Sequence, residues 1–296
     1  MEDQKTRREF LKDVALLSAA VAGLRSTGAA ETAGASKLPT IKLGKLEVSR
    51  LLLGSNPFFG FAHKPGDVGK TMKEFYTEER IMAVLDEAAR QGITAVWTPC
   101  YDHWIRLWNK YQEKGGKLKI WIGQPDTGPE QMKDAITACA KNGGKAVCIQ
   151  GEAVDRQFRE GKHDVVRGWL EHIRSFGLPA GIASHRPETH LVAEEKKFPT
   201  DFYHQCMFQP EDYGEQHREN ALATIRKLEK TVVAYKVLAA GRLPAKETFT
   251  YMFKHLRPKD GICVGMFPKD DPHQVEENAT LVREISAKRD ASAKQG

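Results

Sequence analysis

Eight short apolar runs in this 296-residue chain each give way to a cluster of polar or ionisable residues, and those clusters hold the side chains able to do chemistry. Asn56 and His63 follow the first run, Tyr101, Asp102, His103 and Trp104 the second, and Gln124 and Asp126 the third. Gln150 and Glu152 follow the fourth, and His185 and Arg186 the fifth. The sixth carries residues 204–209, beginning with His204, and the seventh Lys236 and Arg242.

Three chemistries fit this set. Glu152 and His185, joined by His204, Asp102 or His103, supply the carboxylate and imidazole donors that a divalent cation takes. Tyr101, His103, Glu152 and Lys236 supply acids and bases for metal-free proton transfer on a polar substrate. Lys236 lies in Ala-Tyr-Lys-Val-Leu, a cation among apolar neighbours, which suits a lowered pKa, an anion clamp or a Schiff-base amine. Asn56, Trp104, Gln150 and Arg242 are the substrate-binding candidates in either case. In the third reading the site binds without catalysis, with Phe58, Phe59, Trp97, Trp104 and Trp108 as stacking faces for a sugar ring. A carbohydrate-like small molecule is the leading substrate class. Trp97, inside an apolar run, also reads as barrel filling.

The elements that must position these residues alternate strictly. Strand-like runs cover residues 50–55, 93–98, 119–123, 146–150, 180–184, 202–207, 232–236 and 262–266. Helical patterns cover 77–90, 129–141, 165–175, 215–230, 245–255 and 272–287, with further segments near 105–113 and after Pro187. Pro129 is read as an early helical position. Eight such units in about 250 residues predict a (β/α)8 TIM barrel, whose function sits on the loops after its strands. Residues 58–76 lack clear periodicity and read as a lid or binding loop.

Residues 41–51, Ile-Lys-Leu-Gly-Lys-Leu-Glu-Val-Ser-Arg-Leu, resemble the N-terminal hairpin of the aldo-keto reductases. Gly-Ile-Ala-Ser-His-Arg-Pro-Glu at 181–188, Ala-Tyr-Lys-Val-Leu-Ala-Ala-Gly at 234–241, and Val264-Gly265 with Glu276-Glu277-Asn278 resemble later motifs of that family in the same order. The resemblance spans the chain from residue 41. It implies a TIM barrel and NADPH-dependent carbonyl reduction by an Asp, a Tyr, a Lys and a His at strand ends. Tyr101 falls on the Tyr position, but Trp97 stands for the Asp, Gln124 closes a strand end that lacks the Lys, and Gln150 stands for the His. The resemblance assigns Ser184, Gln205 and Lys269 to the cofactor side, with Ser184 in place of an Asn. These departures favour acid–base or metal-assisted chemistry over the nicotinamide-dependent oxidoreductase, which stays as the alternative.

Ahead of the barrel, Arg7-Arg8-Glu9-Phe10-Leu11-Lys12 matches the twin-arginine export pattern. An 11-residue apolar stretch, 14–24, and Ala33-Gly34-Ala35 complete a signal peptide over residues 1–35, leaving the barrel at 36–296. The expectation is export, folded, through the twin-arginine translocase to a periplasmic or extracellular destination, with no membrane-spanning segment in the mature chain. The net charge of +6 is scattered among acidic residues, which gives no footprint for nucleic acid. Five unclustered cysteines argue against a disulfide framework: Cys148 and Cys263 read as packing residues, Cys100 and Cys206 as pocket candidates.

Overall fold

The computed structural model describes residues 37–209 and 211–293. The chain divides after Ser36, and all described residues belong to the second unit, so the twin-arginine pattern and its cleavage site lie outside them.

A two-stranded antiparallel hairpin opens the unit, β1 (Thr40–Leu43) and β2 (Leu46–Ser49), turned at Gly44 with φ +59. Its inward residues Ile41, Leu43 and Val48 pack with Ala95, Ala146 and Phe202, the first residues of three barrel strands. The hairpin therefore plugs the N-terminal end of the barrel.

Eight parallel strands follow: β3 (Leu51–Gly54), β4 (Ala95–Pro99), β5 (Ile120–Gln124), β6 (Ala146–Ile149), β7 (Ala180–Ser184), β8 (Phe202–Cys206), β9 (Thr231–Tyr235) and β10 (Gly261–Gly265). They pair in chain order, and β10 pairs with β3 to close the barrel. Each coincides with one of the eight sequence runs. Near-continuous burial explains why these runs are apolar on both faces, since helices cover the outside and side chains fill the inside. On β8, Phe202 and Cys206 belong to the inner core and Tyr203 to the outer one.

Ten helices lie among the described residues. The first, α1 (Val68–Phe75), corrects the unstructured reading of 58–76, which also holds a short 3₁₀ turn at Asn56–Phe59. Then come α2 (Glu78–Arg90), α3 (Asp102–Glu113), α4 (Met132–Lys141), α5 (Gly151–Arg159), α6 (His163–Ser175), α7 (Pro187–Glu195), α8 (Glu215–Lys227), α9 (Ala245–His255) and α10 (Gln274–Ala293). Thr77 caps α2 by accepting from the Arg80 amide. Pro129 lies ahead of α4 rather than inside it. The connection after β6 holds two helices where one was expected. The additional one, α5, is nine residues with four charged side chains, and its apolar stripe is too brief to register as a period. No helix among the described residues is long and apolar enough to cross a membrane.

Candidate functional site

The barrel opens at the C-terminal ends of its strands into a cavity of about 870 Å³, a volume suited to a small molecule. Its wall is assembled from Asn56, Gln124, Asp126, Gln150, His185 and Lys236, with His63 and Lys64 reaching in from the segment before α1. Trp97 contributes at the barrel end while remaining 6% exposed. Its ring stands edge-on to His204 at 4.0 Å, so Trp97 packs in the barrel interior and also forms part of the cavity wall.

The best-organised chemistry lies where β6 and β7 end. Asp155, on α5, is 1% exposed and accepts from the His185 backbone N–H at 2.9 Å, from the Ser184 hydroxyl and from the Thr189 hydroxyl at 3.3 Å. It also faces His185 Nδ1 at 3.2 Å. A carboxylate held this way keeps the imidazole proton on Nδ1 and leaves Nε2 as the basic nitrogen of a residue that lines the cavity. Gly151 makes the approach feasible. A Cβ there would stand 3.1 Å from His185 Cε1 and Nδ1 and 3.2 Å from the Tyr235 hydroxyl. That hydroxyl donates to the Ser184 carbonyl at 3.2 Å, tying β9 to β7 beneath the histidine.

Gln150, which follows β6, has a structural task in its side chain. Its Oε1 accepts from the Ala153 N–H at 2.8 Å and caps α5. The cap and the buried Asp155 together fix α5, and so the orientation of His185.

On the next wall β9 ends at Tyr235 and the chain turns abruptly. Lys236, Ala239 and Ala240 adopt left-handed φ values of 57, 47 and 56 before Gly241. Non-glycine residues there cost roughly 1–3 kcal/mol each, and such strain gathers at functional sites. The turn carries Lys236 into the cavity wall, half-buried, with no carboxylate within ion-pair distance and no hydrogen bond among the described residues. Burial holds its pKa below the usual lysine value, partly offset by Cys206 and Glu211. His63 also titrates below its ordinary range, through partial burial first and then the charges of Lys236, His185 and Arg242. Lys64 Nζ donates to the Gly241 carbonyl at 3.1 Å, and Arg242 donates through both terminal nitrogens to the His63 carbonyl at 3.2 Å while stacking on Tyr213 at 3.9 Å. The mouth of the cavity is therefore a positively charged rim around a histidine base.

The opposite wall differs. Tyr101 lies outside the cavity lining and donates its hydroxyl to Asp126 at 2.6 Å. Burial, then that hydrogen bond and the Asp126 charge, drive its pKa upward. A catalytic phenol needs the reverse, a neighbouring cation that eases proton release. His103 is exposed, packed edge-on against Phe59 at 5.5 Å, and Trp104 is fully buried, stacked on Trp108 at 6.0 Å. Neither they nor Phe58 line the cavity, so the aromatic stacking face is corrected for these residues to outer-layer packing. Cys100 and Cys206 also fall outside the lining, whereas Cys263 touches it.

The sequence-derived metal set is brought together in part. Donor atoms of Glu152, Asp155 and His185 lie within 4.8 Å of one another. His204 does not join them, since it is sealed inside the barrel with neither ring nitrogen hydrogen-bonded. Asp155 was missed by sequence reasoning. The signal available was Glu152-x-x-Asp155 opening a helix on the residue after a strand. The lone pairs of Asp155 are committed to Ser184, Thr189 and His185, and Glu152 turns to Arg159 at 2.7 Å, so the donors already have protein partners. Arg242 stands at the rim, outside the lining.

No protein-family model matches the chain, and no curated protein matches it by sequence. Solved structures do. Two structures of Pseudomonas aeruginosa proteins assigned as aldo-keto reductases superpose with TM-scores of 0.60 and 0.62, at 17% and 16% identity. They cover 83% and 86% of this chain and 94% and 99% of their own. A truncated 3-deoxy-D-arabino-heptulosonate 7-phosphate synthase of Thermotoga maritima follows with a TM-score of 0.55, 13% identity, and 86% and 93% coverage. The chain is a (β/α)8 barrel. The likeness goes to the fold alone.

The NADPH that an aldo-keto reductase fold implies does not fit the residues assigned to it. Ser184 is fully buried, donates to Asp155, lies 2.8 Å from the Arg186 carbonyl and accepts from the Arg186 N–H. Gln205 is fully buried and donates to the Cys206 carbonyl. Lys269 turns to Asp270 at 3.2 Å. None of the three lines the cavity.

Proposed function

We propose that the barrel is an enzyme that transfers protons on a small polar, carbohydrate-like substrate held in the cavity at its C-terminal mouth. The carrying observation is the buried Asp155 fixing His185 at the cavity wall. His185 Nε2 takes a proton from a carbon or hydroxyl of the substrate, and Asp155 stabilises the imidazolium that forms. Lys64 supplies positive charge where an oxygen becomes negative, and Lys236 places an amine in the same wall. Asn56, Gln124 and Gln150 Nε2 offer hydrogen bonds to hydroxyl groups. Isomerisation or elimination next to a carbonyl fits these roles.

The test is hydrogen exchange. A panel of aldoses, ketoses and hydroxy acids incubated with the protein in D2O, followed by proton NMR, should include a compound that loses its signal beside the carbonyl. His185→Ala should slow that exchange by about 10²–10⁴-fold. Exchange that survives this substitution would remove the proposal.

We also propose that residues 1–35 direct twin-arginine export, supported by Arg7-Arg8 with Phe10-Leu11-Lys12 and by the apolar stretch and Ala33-Gly34-Ala35 that follow. Replacing both arginines with lysine should leave the protein in the cytoplasmic fraction, and undiminished export would contradict this.

A further inference from the structure

Lys236 is a costly residue to keep where it stands. Its φ of 57 suits glycine, its side chain is half-buried in the cavity wall, and no carboxylate neutralises it within ion-pair distance among the described residues. A lysine used only as a fixed charge gains by exposure or by a partner, and this one has neither. Apolar Val237 and Tyr235 flank it in sequence, and both are buried. What such a site provides is a primary amine that can lose its proton and present its lone pair to a bound ligand. The carboxylate that lines the cavity, Asp126, is engaged by Tyr101 on the other wall.

We propose that Lys236 is a Schiff-base nucleophile and that the substrate class is a small carbonyl compound, an open-chain sugar or a 2-oxo acid. This rests on the reading of the cavity as an active site and adds to it the chemistry by which the substrate is held. The neutral Nζ attacks the carbonyl carbon and forms a C–N bond, while the C=O π pair moves to oxygen, which takes a proton. The nitrogen lone pair then forms C=N as that oxygen leaves as water, so amine, carbonyl and one proton give an iminium and water. No oxidant or reductant is needed. The iminium draws electrons from the adjacent C–H bond, whose proton goes to His185 Nε2, and reversal with water returns the free amine. Lys236 from β9 and His185 from β7 both line the one cavity, as a nucleophile and a base acting on adjacent carbons must.

The test traps the adduct. Full-length protein is incubated separately with glyceraldehyde and with pyruvate, reduced with sodium cyanoborohydride, and examined by intact mass and peptide mapping. The expected result is a saturable adduct of one probe molecule per chain, located on Lys236 with at least one of the two probes. Lys236→Arg, checked by circular dichroism, should lose that adduct. His185→Ala should still form it while losing solvent exchange, because attack precedes proton removal. Label spread over surface lysines with no enrichment at Lys236 for either probe overturns the inference. If that happens while exchange remains His185-dependent, the proton-transfer reading stands and only the Schiff base falls. If Lys236 is labelled and no compound exchanges, the reverse holds.

Discussion

The two walls of the barrel mouth are built from the same kinds of residue to opposite effect. On the β4–β5 side, Tyr101 and Asp126 satisfy each other, and the phenol's proton is held more tightly than in water. On the β6–β9 side, a buried carboxylate orients a histidine at the cavity and a strained turn carries an unpaired lysine there. A polar pair that closes on itself stabilises structure. A polar pair with one member facing a cavity leaves a reactive atom for a ligand. The family resemblance points at the first wall, through Tyr101, and the geometry points at the second.

Several substitutions would break or sharpen that contrast. His185→Ala should have the largest effect, about 10³-fold on exchange, with Asp155→Asn close behind because it releases the imidazole tautomer. Next come two buried histidines, His204 inside the barrel against Trp97 and His190 on α7 against Tyr203. His204 and His190 are fully buried, and burial lowers their pKa values from 6.5 to about 3 and about 4. The unfolded chain therefore binds more protons than the folded one below pH 6.5. The stability from these groups is present above that pH and is lost as pH falls toward 3–4, on the order of 3 kcal/mol each. Urea titrations between pH 7 and 4 should show it, and a curve unaffected by His204→Leu would contradict the assignment. Gly151→Ala should slow exchange by about tenfold, since its Cβ would push His185 by a few tenths of an ångström, with little change in melting temperature. Tyr101→Phe should change the rate by less than about threefold, as the partner of Asp126 is remote from the reacting atoms. Chelator treatment should change it less still, because the donors of Asp155 and Glu152 are held by the protein.

The pH profile separates the walls as well. An attack by Lys236 grows with the neutral amine fraction, so trapping should rise with pH to a midpoint below the ordinary lysine value of 10.5. A midpoint at or above it would mean an ordinary solvated amine.

The barrel was legible in the sequence because burial on both faces writes each strand as a short, continuous apolar run, and all eight were found. The helices after them were legible wherever three turns carried an apolar stripe, as in α2. Two helices escaped for the same physical reason. The α1 segment buries no side chain fully, and α5 spends its positions on Glu152, Asp155, Arg156 and Arg159. The omission of α5 explains why Asp155 was missed, since a residue is recognised as a partner only once its element is placed. Gln150, His185, Lys236 and Asn56 line the cavity because strand ends converge in any such barrel. Tyr101, His103 and Trp104 lie outside the cavity lining, since Tyr101 ahead of α3 turns to Asp126, His103 is exposed and Trp104 is buried in the outer core, a matter of side-chain direction that spacing does not encode. His204 shows the complementary limit. Alternation on β8 points it inward, and a residue beneath Trp97 is interior rather than exposed at the mouth.

The most direct test compares the walls in a single experiment, solvent exchange at the carbonyl-adjacent carbon by wild type, His185→Ala and Tyr101→Phe, each confirmed folded. The account predicts that exchange disappears with His185→Ala and persists with Tyr101→Phe. Loss of exchange with Tyr101→Phe and its survival with His185→Ala would place the chemistry on the other wall and contradict it.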